Sequence, residues 1–227
     1  MKTVVIIGGS KGIGKAIVET LLDSHRVINL SRSVPEQHHA NLTHYNVDIL
    51  SGDLPEITNM DALVYCPGSI NLKPIARLSL EDFREDFEIN VVGAVKAIQK
   101  YLEVLKRSER PSILLFSTVA AKLGMPYHAS IATAKSGVEG LVKSLGAELA
   151  PNIRINAIAP TVTDTQLASK LLRNEKMIEN IKERHPLKKF LNPKEVAEMA
   201  EFLLSGKASS ISGQIFEMDY GIVTFKI

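Results

Sequence analysis

The sequence predicts a single-domain α/β fold, a doubly wound parallel sheet of about seven strands with helices on both faces. Three observations predict it. Short apolar, β-branched runs alternate with longer helical patterns, as in consecutive βαβ units. Runs such as Ile113-Leu114-Leu115-Phe116 are continuously apolar, the mark of a strand covered on both faces. Finally, the 227 residues, 45% of them hydrophobic, bury one large core but are short for two. The domain is expected to span residues 1–227.

The elements follow in order. Thr3–Ile7 reads as the first strand, and a helix runs from Gly12 to about Ser24. Arg26–Leu30 is the second strand, Thr43–Val47 a weak third and Ala62–Tyr65 the fourth. The stretch from Ser31 to Asp61 leaves little room for a full helix. A long helix is expected over Leu80–Arg107, with Ser79 as its N-cap and Asp82 three residues on. Ser112–Phe116 is the fifth strand. A helix over Ala129–Leu149 stops before Pro151, and Arg154–Ala159 is the sixth strand. A last helix starts near Pro193, a residue favoured in a first turn, with Asn192 as cap. Gln214–Met218 closes the sheet. The charged stretch from Glu175 to Lys189 is either a lid over a substrate cleft or a plain solvated helix.

Composition removes several function classes. With 27 Lys+Arg, 25 Asp+Glu and a net charge of +2, nothing asks for nucleic acid or an anionic membrane as partner. A single cysteine, Cys66, excludes an internal disulfide and fits a reducing compartment; following a buried strand, it reads as a packed thiol. The apolar run after Met1-Lys2 is too short for a signal peptide, and no stretch approaches the roughly 18 apolar residues of a membrane span. His25, His38, His39 and His44 are too loosely grouped for a zinc site, so no metal is expected. A cytoplasmic protein is the expectation.

The strongest local signal is Val4-Val5-Ile6-Ile7-Gly8-Gly9-Ser10-Lys11-Gly12-Ile13-Gly14, a strand entering a glycine-rich turn and then a helix. Missing side chains let the backbone approach a diphosphate, while the helix N-terminus supplies free N–H groups and a positive dipole end.

The spacing Gly8-x-x-x-Gly12-x-Gly14 resembles the glycine motif of the short-chain dehydrogenase/reductase family, whose fold is of Rossmann type. The resemblance extends along nearly the whole chain. Asp48-Ile49 is similar to that family's aspartate and its neighbour at the adenine, and Asn90 in Glu88-Ile89-Asn90-Val91-Val92-Gly93 to its helix asparagine. Lys135 in Ala134-Lys135-Ser136-Gly137 resembles its catalytic lysine, and Arg154-Ile155-Asn156-Ala157-Ile158-Ala159-Pro160 its sixth strand and proline. Ser212-Gly213-Gln214 and Met218-Asp219-Tyr220-Gly221 resemble the C-terminal signature. The resemblance implies a nicotinamide dinucleotide as cofactor. It places Gly8, Ser10, Lys11, Gly12, Ile13 and Gly14 at the diphosphate, and Ser31, Arg32, Asp48 and Ile49 at the adenosine. Pro67, Gly68, Asn90 and Lys135, together with Pro160, Thr163 and Thr165, come toward the nicotinamide half. It also implies a homodimer or homotetramer with a small-molecule substrate.

NADP(H) is preferred over NAD(H). An acidic residue at the end of the second strand would hold a ribose 2′-hydroxyl, whereas a cation accommodates a 2′-phosphate. Here that strand ends in Leu30-Ser31-Arg32. Arg32 can make a forked contact to phosphate, and Lys11 adds a second charge.

In the resembled family a tyrosine one helical turn before the lysine donates a proton to the substrate carbonyl, a serine hydroxyl steadies the same oxygen, and the asparagine helps hold a relay water. Lys135 and Asn90 match, and Thr118 stands at the serine position, with Ser117 beside it. The tyrosine position is Ile131, which cannot exchange a proton. Tyr127 and His128, just upstream, are the candidate replacements; the alternative is that they are a pocket-wall aromatic and a capping or surface histidine. Ile7 before the first glycine and Tyr65-Cys66-Pro67-Gly68 after the fourth strand also depart from the family pattern. Two readings follow: an NADP(H)-dependent oxidoreductase of a small carbonyl or alcohol with an atypical proton donor, or an NADP(H)-binding protein without redox turnover, such as a sensor or partner subunit. Lyase or isomerase chemistry on the same scaffold stays open as a third.

Overall fold

The computed structural model describes residues 1–225. A seven-stranded sheet runs in the order β3-β2-β1-β4-β5-β6-β7, every neighbouring pair parallel. The strands are β1 (Thr3–Ile7), β2 (Arg26–Ser31), β3 (Leu42–Asn46), β4 (Ala62–Tyr65), β5 (Ser112–Phe116), β6 (Arg154–Pro160) and β7 (Ile215–Met218). The helices are α1 (Gly12–Leu21), α2 (Leu80–Phe87), α3 (Gly93–Leu105), α4 (Ala129–Glu148), α5 (Glu175–Arg184) and α6 (Pro193–Leu204). The chain winds outward from β1 through β2 to β3, then crosses back to place β4 on the other side of β1. That reversal opens a crevice beyond the C-terminal ends of β1 and β4, where ligands of such sheets bind.

Strand geometry explains the two cores. Alternate residues of β1 point to opposite faces. Val4 and Ile6 pack with Ile17 and Val18 of α1 and with Val196 and Ala200 of α6. Val5 and Ile7 join Ile98 and Tyr101 of α3 and Val138 and Val142 of α4 on the opposite face. Every residue of β1 is buried, as its continuous apolar run requires. β3 sits at the sheet edge with no fully buried residue, which is why its pattern is weak. Both anticipated caps form as reciprocal capping boxes, Ser79 with Asp82 and Asn192 with Glu195.

One expectation is corrected. Leu80–Arg107 is not a single helix: α2 and α3 flank a π-helical turn over Glu88–Val92. Two acceptors of the ordinary ladder are taken by other groups. The Tyr65 phenol donates to the Ile89 carbonyl at 2.6 Å, and Asn90 Nδ2 donates to the Asp86 carbonyl at 2.7 Å. Side chains inserted into a helical ladder are a recognised cause of such bulges. α1 also stops three residues short of Ser24, at Leu21.

α5 buries none of its own residues. Its anchor is the next residue: His185 is 2% exposed, with Nδ1 on the Ile181 carbonyl and Nε2 on Thr161 Oγ1, both at 2.7 Å. Among the described residues no helix is long and apolar enough to cross a membrane, and no group of three or more His, Cys, Asp or Glu side chains could hold a metal ion.

Candidate functional site

At the C-terminal end of β1 the glycine turn adopts a shape few other residues could. Gly8 has φ +81°, the left-handed region, and a Cβ on it would meet the Pro67 ring at 3.2 Å. A Cβ on Gly14 would lie 2.2 Å from the Gly8 carbonyl oxygen, so α1 packs onto the turn only without one. The Gly9 N–H is held by Asn29 Oδ1 at 2.9 Å, which ties the turn to β2. Lys11 occupies the cap position of α1 without a side-chain cap bond, and the first turn carries no acidic residue. The amides of that turn therefore keep their donor capacity, and the dipole end stays positive.

These groups floor a cleft of about 670 Å³. Gly8, Ser10, Lys11, Gly12, Ile13 and Gly14 line it at the turn, and Ser31, Arg32, Asp48 and Ile49 line one end. Pro67, Gly68 and Thr165 line the other, with Cys66 between. The Arg32 side chain is 76% exposed, and its guanidinium stands 3.9 Å from Asp48 Oδ2. Asp48 Oδ1 accepts from the Leu50 N–H at 2.9 Å, which turns its loop across the cleft wall. Ser10 and Ser33 hydroxyls meet at 3.0 Å, joining the glycine turn to the segment after β2.

Two of the remaining anticipated residues, Lys135 and Asn90, meet behind Gly68. Lys135, 8% exposed on α4, donates from Nζ to the Phe116 carbonyl at 2.8 Å. Burial pulls its ammonium down from 10.5 to about 8, with the Asp86 charge acting in the opposite sense. Asn90 is 1% exposed, and its Oδ1 is buried without a hydrogen-bond partner. A Cβ on Gly68 would lie 3.2 Å from that Oδ1 and 3.5 Å from Lys135 Nζ, so both atoms converge just behind the cleft wall. Thr118 caps the short helical turn after β5, accepting from the Ala120 N–H at 3.4 Å. Ser117 points away: its Oγ donates to Glu139 Oε1 at 2.7 Å. Of the two hydroxyls, Thr118 is the one left half-exposed. Pro160 ends β6 and is half-buried, whereas Thr163 is 6% exposed with Oγ1 on the Thr161 carbonyl at 3.0 Å.

Ile131 is 5% exposed on α4, one turn before Lys135. Neither Tyr127 nor His128 lines the cleft. Tyr127 has φ +70° and is 58% exposed. His128 stands at the N-cap of α4 without a side-chain cap bond, its Nδ1 on the Pro126 carbonyl at 2.7 Å. That carbonyl fixes the proton on Nδ1 and leaves Nε2 as the free nitrogen. Cys66 is partly buried, and burial pushes its thiol up to about 12, which makes it a poor nucleophile at neutral pH.

Sequence reasoning missed three polar residues beside Asn90. Asp86 has no exposed surface and accepts from Ser69 Oγ at 2.5 Å and Ser130 Oγ at 2.6 Å. One signal was available: an aspartate four residues before the asparagine shares its helix face. It also missed Asn29, which spans β2 and the glycine turn, and His185.

The residues fit a dinucleotide on two structural grounds. The Gly8–Gly14 approach leaves a cradle that any side chain at Gly14 would destroy. At the other end a buried, unpartnered amide oxygen and a buried ammonium converge behind Gly68.

Comparisons with known proteins show the family. The family described as Enoyl-(Acyl carrier protein) reductase matches residues 53–223. The 3-oxoacyl-acyl-carrier-protein reductase FabG of Aquifex aeolicus is 28% identical over 97% of this chain and 97% of its own length. Its namesake from Rickettsia felis is 30% identical over 98% of this chain and 97% of its own. Among solved structures, the ligand-free aldohexose dehydrogenase of Thermoplasma acidophilum superposes with a TM-score of 0.90 at 30% identity, covering 99% of this chain and 95% of that one. The chain belongs to the short-chain dehydrogenase/reductase family of oxidoreductases.

Proposed function

We propose that this protein is an NADP(H)-dependent oxidoreductase of a small carbonyl or alcohol substrate, working with an atypical proton donor because Ile131 stands at the family's tyrosine position. The observation that carries the proposal is the cleft itself: a glycine cradle at one wall, Arg32 at one end, and Lys135 with Asn90 behind the other. The amides of Gly8 to Gly14 bind the diphosphate. Arg32 and Lys11 take the 2′-phosphate, because no carboxylate ends β2 to favour a bare hydroxyl. Asp48 and Ile49 border the adenine. Lys135 and Asn90 hold the nicotinamide ribose, and Pro160, Thr163 and Thr165 close over the nicotinamide side. When bound, the nicotinamide supplies or accepts the hydride.

Thr118 donates its hydroxyl hydrogen to the substrate oxygen. The names of the relatives, a 3-oxoacyl reductase and an aldohexose dehydrogenase, support a carbonyl–alcohol pair as the substrate class. The proton at that oxygen comes from Tyr127 or His128 after the segment before α4 moves, or from solvent. A residue held in the left-handed region, as Tyr127 is, marks a strained segment of the kind that shifts on binding. A soluble cytoplasmic homodimer or homotetramer completes the reading.

The test follows NADPH absorbance against a panel of ketones, aldehydes and alcohols, repeated with Tyr127→Phe and His128→Ala. Turnover above that of Lys135→Met supports the proposal, and the variant that abolishes it identifies the donor. Consumption no greater than the Lys135→Met control across the panel overturns it. The buried Ile131 favours one alternative, an NADP(H)-binding sensor or partner subunit; tight NADPH binding without turnover is its signature.

A further inference from the structure

Behind the cleft lies a set of buried polar side chains to which the proposed chemistry gives no task. Asp86, in the last turn of α2, has no exposed surface. Its Oδ1 accepts from Ser69 Oγ at 2.5 Å and from Asn71 Nδ2 at 3.5 Å. Its Oδ2 accepts from Ser130 Oγ at 2.6 Å. Both carboxylate oxygens are thus engaged by neighbouring hydroxyl or amide groups. With its hydrogen directed at Asp86, the Ser69 hydroxyl offers a lone pair to Asn90 Nδ2 at 3.1 Å. The other hydrogen of that amide goes to the Asp86 carbonyl at 2.7 Å.

Asn90 therefore has one orientation. Turning the amide over would forfeit both donor bonds and set an NH₂ group beside the Lys135 ammonium. As it stands, the acceptor Oδ1 shares the space beside Gly68 with Lys135 Nζ.

We infer that Asp86 is a positioning residue for Lys135: through Ser69 it locks the Asn90 amide with its oxygen on the lysine side, and it sets a negative charge behind the pair. For its effect on turnover this rests on the proposed function; its effect on Lys135 does not.

The surroundings of Lys135 leave Asp86 as the effective anion. From the end of β4 comes Cys66, whose thiol burial keeps protonated at neutral pH. From β5 comes only the Phe116 carbonyl. On α4 itself, Glu139 lies one turn further on against the Ser117 hydroxyl and is not among the charges acting on Lys135. Burial lowers the lysine, and the Asp86 charge resists that fall.

The experiment titrates ¹³C-labelled lysine by NMR in the cofactor-free protein, with Lys135→Met to assign the resonance. Asp86→Asn lowers the Lys135 midpoint by about one pH unit. Ser69→Ala lowers it in the same direction by less, because Asn90 loses its anchor; the Asn90 amide resonances move in both variants. In turnover, the basic limb of kcat shifts down with the midpoint while the KM for NADPH stays near the wild-type value. An unchanged Lys135 midpoint in both variants overturns the inference. Should Asp86→Asn fail to fold, Ser69→Ala at a half-buried position decides alone. A wild type that titrates as described but binds no NADPH defeats the functional reading and leaves the Asp86 clamp standing.

Discussion

The two ends of this site are built from different materials. Around the glycine turn the binding groups are backbone amides and a helix end, placed by β1, α1 and the Gly8–Gly14 contact. Behind Gly68 the groups are side chains, Asn90 from the π turn and Lys135 from α4, and the proposed function gives the place of the family's proton donor to the buried Ile131. Backbone sites survive substitution of almost anything except their glycines, whereas a side-chain site loses its chemistry with one residue. On the proposed reading, a backbone cradle faces an acid–base set without the usual phenol.

The sharpest way to break the comparison is Gly14→Ala. Its Cβ would lie 2.2 Å from the Gly8 oxygen, so turn and helix must part. Affinity for NADPH should fall by at least about 100-fold, with a loss of stability of several kcal/mol, read by calorimetry and thermal melting. Retained affinity would show that the cradle is not the binding element.

Ile131→Tyr probes the other end. A phenol one turn before Lys135 restores an acid, and a general acid contributes roughly 10²- to 10⁴-fold. Reductase turnover should rise by about 100-fold, at a cost of about 1–3 kcal/mol in stability for the larger side chain in a buried position. If turnover does not rise while NADPH binding persists, the deficit lies elsewhere than in the missing phenol.

Arg32→Ala sharpens the reading of the adenosine end. Losing a charge-assisted contact of about 1.5–3 kcal/mol should weaken NADPH by about 10- to 100-fold and leave NADH nearly unchanged. Equal losses for both would assign Arg32 to something other than the 2′-phosphate.

A further effect is a pH dependence of stability. Lys135 is lowered in the folded protein to about 8 from 10.5, so between those values the unfolded chain binds the extra proton. Stability should therefore rise with pH across about 8 to 10.5 from this group, and the slope should flatten in Lys135→Met, measured by denaturant unfolding at stepped pH.

Much of this was legible in the sequence because its causes are local. Strand periodicity, the Ser79 and Asn192 caps and the glycine spacing each depend on neighbours within a few residues, and each led to the element that forms. What could not be read depends on distant partners. The π turn needs the Tyr65 phenol, 24 residues away, and the Asp86 network needs Ser130, 44 residues away. His185 lies at the end of a helix none of whose own residues is buried, and its partner Thr161 belongs to the loop after β6. The positions of Tyr127 and His128 depend on backbone torsions just before α4, which residue identity does not specify.

The account stands on a diphosphate gripped by main-chain amides and a phosphate read by Arg32. Calorimetric titration of the purified protein with NADPH and with NADH tests this most directly. The prediction is saturable binding of NADPH at least about tenfold tighter than NADH. No measurable affinity for either dinucleotide would contradict it.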